Sequence, residues 1–313
     1  MDARITKQRL SNMLSYDWLK ILGTIAVAVM VFLVLFTMIA TRVTQAQTFE
    51  IYAYYGVSAG ADYSSLPSDL SAKNVFSYDV LKTATETFSK SDSHSSAVFT
   101  ARRSAGQGTV MFVSSYAATD EEGKKGVSEL DNLVASGVVG GGDNVRQGLL
   151  RDPQTFMSDC ENYLKGFFGE NLEENAEPDM EKVRQCFLDR NGSDKRFRSA
   201  AQKEAGVLSE KERIVGLRED YLVVRAAFDE GVFTYTSCDY EYGEDKTATF
   251  TVGVNVGGLK TIGNLFFYKG DEGKQVKDEL NLVIFNNGEK KGMSDLKYEA
   301  VSFLRYLLEK YSV

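Results

Sequence analysis

The sequence predicts an α/β protein: an N-terminal transmembrane helix followed by a mixed α/β extracytoplasmic domain. Three observations predict it. An apolar run lies close to the N terminus, strand-like and helix-like patterns are mixed after it, and a charged helical section is flanked by strand-bearing ends.

In KILGTIAVAVMVFLVLFTMIATR no charge lies between Lys20 and Arg42. A helix rises about 1.5 Å per residue, so Ile21 to Ala40 would extend roughly 30 Å, the thickness of a bilayer's hydrocarbon core. Only Thr24 and Thr37 are polar, and they form no polar stripe of the kind a soluble amphipathic helix shows. Tyr16 and Trp18 lie where amphipathic rings favour the headgroup region, and Lys20 can snorkel outward. Arg4, Lys7, Arg9 and Lys20 precede the run, whereas only Arg42 follows closely and Lys73 is next. This asymmetry puts the N terminus in the cytoplasm and residues 43–313 outside. Thr44-Gln45-Ala46 has a small-x-small pattern, but the run exceeds the ~7–15 residues of a signal-peptide core, so an uncleaved signal anchor is expected. The expected organisation is a cytoplasmic segment (1–18), a transmembrane helix (19–41) embedded in the cell membrane, a connector (42–47) and the outer α/β domain (48–313).

Charge divides at the same place. Residues 1–42 carry five basic and two acidic side chains, and the rest of the chain carries 31 basic and 42 acidic. Such an acidic domain repels phosphate backbones, so nucleic acid is not an expected partner. Apolar residues make up 43% of the 313-residue chain, enough for a packed core. Three cysteines cannot all pair; Cys160 and Cys186 either bridge neighbouring helices or serve as small buried hydrophobes. With one histidine, His94, and no CxxC pair, no zinc site or other cofactor is expected.

The outer domain then reads in order. TFEIYAYYG alternates Phe49, Ile51, Ala53 and Tyr55 with Glu50, Tyr52 and Tyr54, as a strand stopped by Gly56. VSAGADYSSLPSDLS reads as a loop. SYDVLKTATETFSK spaces Val80, Leu81, Ala84 and Phe88 as a helix would. SSAVFTARR and GTVMFVSS read as strands, the second apolar almost throughout. EEGKKGVSELDNLVAS reads as an amphipathic helix through Val127, Leu130, Leu133 and Val134. From about 153 to 228 the chain is charged and helical, with Pro178 suited to a first turn and Asn191-Gly192 to a stop. GVFTYTSCDYEYG and KTATFTVGVNVGG suit a hairpin around Gly243 to Asp245, and LNLVIFNNG suits a buried strand with a turn at Asn287-Gly288. The closing helix presents Leu296, Ala300, Phe303, Leu304, Leu307 and Tyr311 on one face. The two strand-bearing ends can share one sheet, with the middle as an inserted or second lobe.

No catalytic motif stands out, and the chain is not expected to be an enzyme. The Gly140 to Asn144 run lacks the Lys-Ser or Lys-Thr pair of a phosphate loop and reads as a turn. His94 has no nucleophile elbow to serve. The acid pairs Glu173-Glu174, Asp239 with Glu241, and Glu244-Asp245 read as surface acidity. Asn191-Gly192-Ser193 matches a glycosylation sequon. The strongest functional signal lies at predicted strand ends, where Tyr54 and Tyr55, and Ser114, Ser115 and Tyr116, bring rings and hydroxyls to the edge where open α/β sheets hold ligands.

FEIYAYYG, SYDVLKTATETF and GTVMFVSS, the helical middle, and LNLVIFNN with DLKYEAVSFLRYLL together resemble bacterial two-lobed extracytoplasmic solute-binding proteins. The resemblance spans most of residues 48–313, although this chain lacks their lipidated cysteine. It implies a cleft lined by strand ends, capture of a small ligand or peptide at Tyr54, Tyr55, Ser114, Ser115 and Tyr116, and delivery to a membrane transporter. Two other roles fit the same sequence: a non-catalytic scaffold of a membrane complex, and a cell-surface hydrolase.

Overall fold

A computed structural model describes residues 7, 8, 11, 18–39, 43–119, 123–135, 150–174, 177–191, 194–241, 247–270, 273–286 and 298–312. The chain divides into two units, Met1–Arg42 and Val43–Val313. In the first, Trp18–Ile39 forms helix α1. Its window Trp18–Leu35 is long and apolar enough to cross a membrane, and none of it is buried against protein. Thr24 fits such a helix because its hydroxyl donates to the Lys20 carbonyl one turn back at 2.8 Å.

In the second unit the sequence-distant ends do share a sheet. Strands β1 (Thr48–Ala53), β3 (Lys82–Thr87) and β4 (Val110–Ser114) come from one end, and β6 (Thr234–Glu241), β7 (Thr247–Asn255) and β10 (Leu280–Phe285) from the other. Their order is β3-β1-β4-β10-β7-β6, and β5 (Leu150–Arg151) pairs with β10. β1 runs parallel to both β3 and β4, whereas β10 is antiparallel to β4 and β7. The central strands β1, β4 and β10 are buried along their whole length, which is why they read as apolar runs. A smaller antiparallel sheet joins β2 (Val57–Ala59), β8 (Phe266–Lys269) and β9 (Gln275–Val276). β6 and β7 pair as the expected hairpin; its turn, like the Asn287-Gly288 turn and Leu296, lies outside the described residues.

Helices cover both faces. On one side Phe49, Ile51, Phe112 and Leu282 share a core with α5 (Pro153–Phe168), α6 (Met180–Asn191), α7 (Ala200–Asp229) and α8 (Glu299–Tyr311). On the other, Tyr52, Met111, Val113 and Val283 pack with residues of α3 (Ser95–Ser104) and α4 (Glu129–Leu133). The expected helical middle is therefore α5 to α7, and its residues share the core of the sheet. α5 starts on Asp152, whose carboxylate accepts from the amides of Gln154 and Thr155, with Pro153 in the first turn. Asp179 does the same for α6, so Pro178 lies just before that helix. α6 and α7 approach closely at Gly206, where a Cβ would stand 2.3 Å from the Phe187 ring.

Several local expectations are corrected. SYDVLKTATETFSK forms β3, not a helix: Thr83, Thr85 and Thr87 are β-branched, and pairing with β1 supplies the hydrogen bonds a half-exposed edge segment needs. SSAVFTARR belongs to α3, not a strand; Ser95, Phe99 and Arg103 recur every fourth residue on its buried side, and Arg102 and Arg103 sit favourably in its last turn. The loop expected at 57–71 contains β2 and helix α2 (Leu66–Ala72), anchored by buried Leu66 and Leu70. α4 is shorter than expected: Ser128 caps it, Leu130, Leu133 and Val134 are buried, and Val127 remains exposed. All three cysteines are free thiols, so the helix-bridging alternative for Cys160 and Cys186 falls.

Candidate functional site

Parallel pairing of β1 with β4 brings the expected strand-end residues to one edge of the sheet. There they engage one another and the chain. Tyr54 is buried, its ring 4.5 Å from that of Tyr55 and 5.3 Å from that of Phe99. Burial, with Tyr55 and Glu129 nearby, pushes its hydroxyl up to about 12. The Ser114 hydroxyl accepts the Tyr116 amide at 3.0 Å, and the Tyr116 ring stacks on Tyr268 at 5.2 Å. Ser115 accepts from the amide of fully buried Asn281 at 2.9 Å, whose carbonyl in turn accepts from Thr236 at 2.5 Å. Asn281 thus ties β10 to the ends of β4 and β6.

A cavity of about 470 Å³ lies elsewhere, between segment 73–78, α7 and α8. Asn74, with φ of 49°, turns the chain out of α2 into this segment, a conformation asparagine tolerates better than most side chains. Five acidic residues (Glu212, Glu219, Asp220, Glu299, Glu309) and three basic ones (Lys73, Arg213, Arg305) line it. Glu212, Glu219 and Glu309 are exposed, whereas Arg213 and Glu299 are buried. Phe76, Tyr78 and Tyr306 contribute rings to its wall.

Beside this cavity lies a cluster of buried charges. Fully buried Glu210 accepts from Arg213 at 2.8 Å, from Arg190 at 3.3 Å, from the Tyr78 hydroxyl at 2.7 Å and from the Cys186 thiol at 3.3 Å. Burial alone would raise its pKa, but Arg213 and Arg190 outweigh it and hold the carboxyl at about 2. Arg190 also bonds Asp79, Arg196 bridges Asp79 and Asp194, and Arg213 donates to the Tyr163 hydroxyl. Burial raises Asp79 despite these partners.

Glu299 is 4% exposed, and its Oε2, like the Oδ1 of Asp79, is enclosed with no hydrogen-bond partner; of the two, Glu299 lines the cavity. Burial raises its pKa, against the pull of Arg213 and Arg190 and with the push of Asp79. The Ser77 hydroxyl, also on the wall, is buried without a partner. The wall residues therefore include an enclosed carboxyl oxygen and an enclosed hydroxyl, each without a hydrogen-bond partner, beside aromatic rings. Sequence reasoning missed it, although a signal existed: Glu299, Phe303 and Tyr306 recur at i, i+4 and i+7 on a buried stripe, as Glu210, Ile214, Leu217 and Tyr221 do on α7.

The remaining motifs stay apart from this site. Exposed His94 precedes α3, and Glu173 pairs with Arg225 on the surface. Asn191 is buried and donates to the Tyr78 hydroxyl at 2.9 Å, with the next two sequon residues outside the described set. Gly140 to Asn144, Glu244 and Asp245 also lie outside the described residues. Among the described residues no group of His, Cys, Asp and Glu is arranged to hold a metal ion. No protein-family model matches the chain, and neither the curated proteins nor the solved structures yield a match.

Proposed function

We propose that this chain is a membrane-anchored binding protein whose outer domain captures a small polar molecule in the cavity between segment 73–78, α7 and α8. The single observation that carries the reading is Glu299, a buried carboxyl whose Oε2 lacks a partner, on the wall of a cavity of about 470 Å³. Buried polar atoms are nearly always satisfied, and leaving one unpaired costs about 1–3 kcal/mol, which a bound ligand can recover. The volume lies within the usual ~300–1,000 Å³ of small-molecule sites. A ligand at Tyr54, Tyr55, Ser114, Ser115 and Tyr116 would have to compete with the contacts these residues make within the chain.

In this reading α1 anchors the chain in the cell membrane, with the N terminus cytoplasmic and residues 43–313 outside, where a membrane transporter could take over the ligand. Thermal unfolding of the full chain in detergent micelles, against amines, amino acids, sugars and carboxylates, tests capture. A ligand at a hundred times its Kd stabilises by about 2.7 kcal/mol; no shift with any class would remove the reading. Protease added to sealed cells tests orientation: digestion of residues 43–313 from outside is expected, and complete protection would reverse it. The finer, two-lobed form of the reading predicts compaction on ligand binding in small-angle scattering, and an unchanged profile would remove it.

A further inference from the structure

We infer that the molecule this cavity takes is a small organic cation, with the Glu299 carboxylate as its counter-ion. The inference rests on the cavity being the binding site and concerns what that site selects.

Charge is the first ground. Two of the three basic groups of the cavity are matched by acids within the chain. Arg213 is held by Glu210, and Arg305 donates to Asp220 and to Glu309, each at 2.8 Å. Lys73 places its ammonium over the Tyr306 ring, 5.5 Å from the centroid. Among the acids, Glu299 is the buried one with an unmatched oxygen. Around it, four carboxyls (Asp79, Asp194, Glu210, Glu299) stand against three guanidiniums (Arg190, Arg196, Arg213), and the Glu210 carboxylate takes both Arg190 and Arg213. The carboxyls outnumber the guanidiniums by one, and burial pushes Asp79 and Glu299 toward their neutral forms. An anionic ligand would push Glu299 further that way, whereas a cation would favour its ionised form.

The wall chemistry agrees. Rings of Phe76, Tyr78 and Tyr306 line the same space, and aromatic faces attract cations within about 6 Å. Two of these rings already face cations of the chain: Tyr306 faces Lys73 and Lys310, and Tyr78 faces Arg196. Exposed Glu212, Glu219 and Glu309 surround the approach with negative charge, which concentrates cations at the entrance.

The test uses the full chain in detergent micelles and a matched pair of probes: choline and its uncharged isostere 3,3-dimethyl-1-butanol. Glucose and benzoate serve as neutral and anionic controls. Choline is expected to bind more tightly than the isostere by about tenfold or more, and Glu299→Gln is expected to erase most of that ratio. Equal binding of choline and the isostere, or preference for benzoate or glucose, would overturn the cation inference and leave the binding reading standing. A large ratio unchanged in Glu299→Gln would overturn the role given to Glu299. Because the ratio is read first on the unaltered protein, the test survives a variant that fails to fold. Absence of binding by every probe would remove the binding reading and this inference together.

Discussion

The carboxyl edge of β1 and β4 and the cavity beside α8 are built from the same materials, tyrosines, serines and buried polar groups, and use them differently. At the edge, Asn281 is fully buried with hydrogen bonds to Ser115 and Thr236, Tyr54 packs against Phe99, Tyr116 stacks on Tyr268, and half-buried Glu279 keeps one oxygen without a partner. At the cavity, Glu210 is saturated by four partners while Glu299 keeps an oxygen without one. A buried polar group that is satisfied holds a fold together, whereas one that is not carries a cost that a bound molecule can recover.

The largest effect that could break this contrast is at Glu210. Glu210→Gln leaves Arg213 and Arg190 facing a neutral amide and should cost about 3–5 kcal/mol in chemical denaturation. A loss below about 1 kcal/mol would show that the cluster is not structural. The same carboxyl sets an acid dependence. Its folded pKa, about 2, lies below the ordinary 4.5, so its contribution is present above pH 4.5 and is lost as pH falls toward 2. The limb should amount to about 3 kcal/mol and should flatten in Glu210→Gln, read as unfolding free energy against pH. Asp79 and Glu299, both raised, act in the opposite sense: their contribution is present at low pH and is lost as pH rises through their folded values.

Next comes the edge. Asn281→Leu keeps the branched shape but removes the acceptor of Thr236 and a donor to Ser115, and should cost about 1–3 kcal/mol while leaving choline affinity unchanged. A change in choline affinity greater than about threefold would join the two regions that the comparison separates. The smallest stability effect belongs to Glu299→Gln. An amide does not titrate, so the variant should match the parent to within about 1 kcal/mol at low pH and gain on it as pH rises through the raised Glu299 value. A uniform loss like that at Glu210 would mean that Glu299 is already paired in the folded protein.

Much of the fold was legible where a segment's own pattern decided its structure. β1, β4 and β10 are buried on both faces and read as apolar or aromatic runs, and the stripe of α8 from Ala300 to Tyr311 is as expected. The exchange of β3 and α3 occurred where the pattern was weak. β3 is half-exposed along its length, so its alternation carries little apolar signal, and Val80 and Phe88 flank it at a spacing that imitates a helix. In α3 the buried stripe contains Ser95 and Arg103 beside a single phenylalanine, so apolar periodicity understates it. The strand-end residues were placed at the correct edge, but their mutual engagement depends on Glu279 and Asn281, more than 150 positions away.

By itself the sequence determined the apolar N-terminal helix, the central strands and the closing helix, because each is a local pattern whose period states which face must leave water. Only the tertiary structure decided which buried polar groups find partners. Tyr78 reaches Glu210 across 132 positions, and Arg190 reaches Asp79 across 111. The helical stripes place Glu210 and Glu299 inside the protein; the packing of α6 and α7 beside segment 73–78 satisfies the first and leaves an oxygen of the second unmatched. Periodicity encodes burial, whereas satisfaction depends on what packing brings within hydrogen-bonding distance.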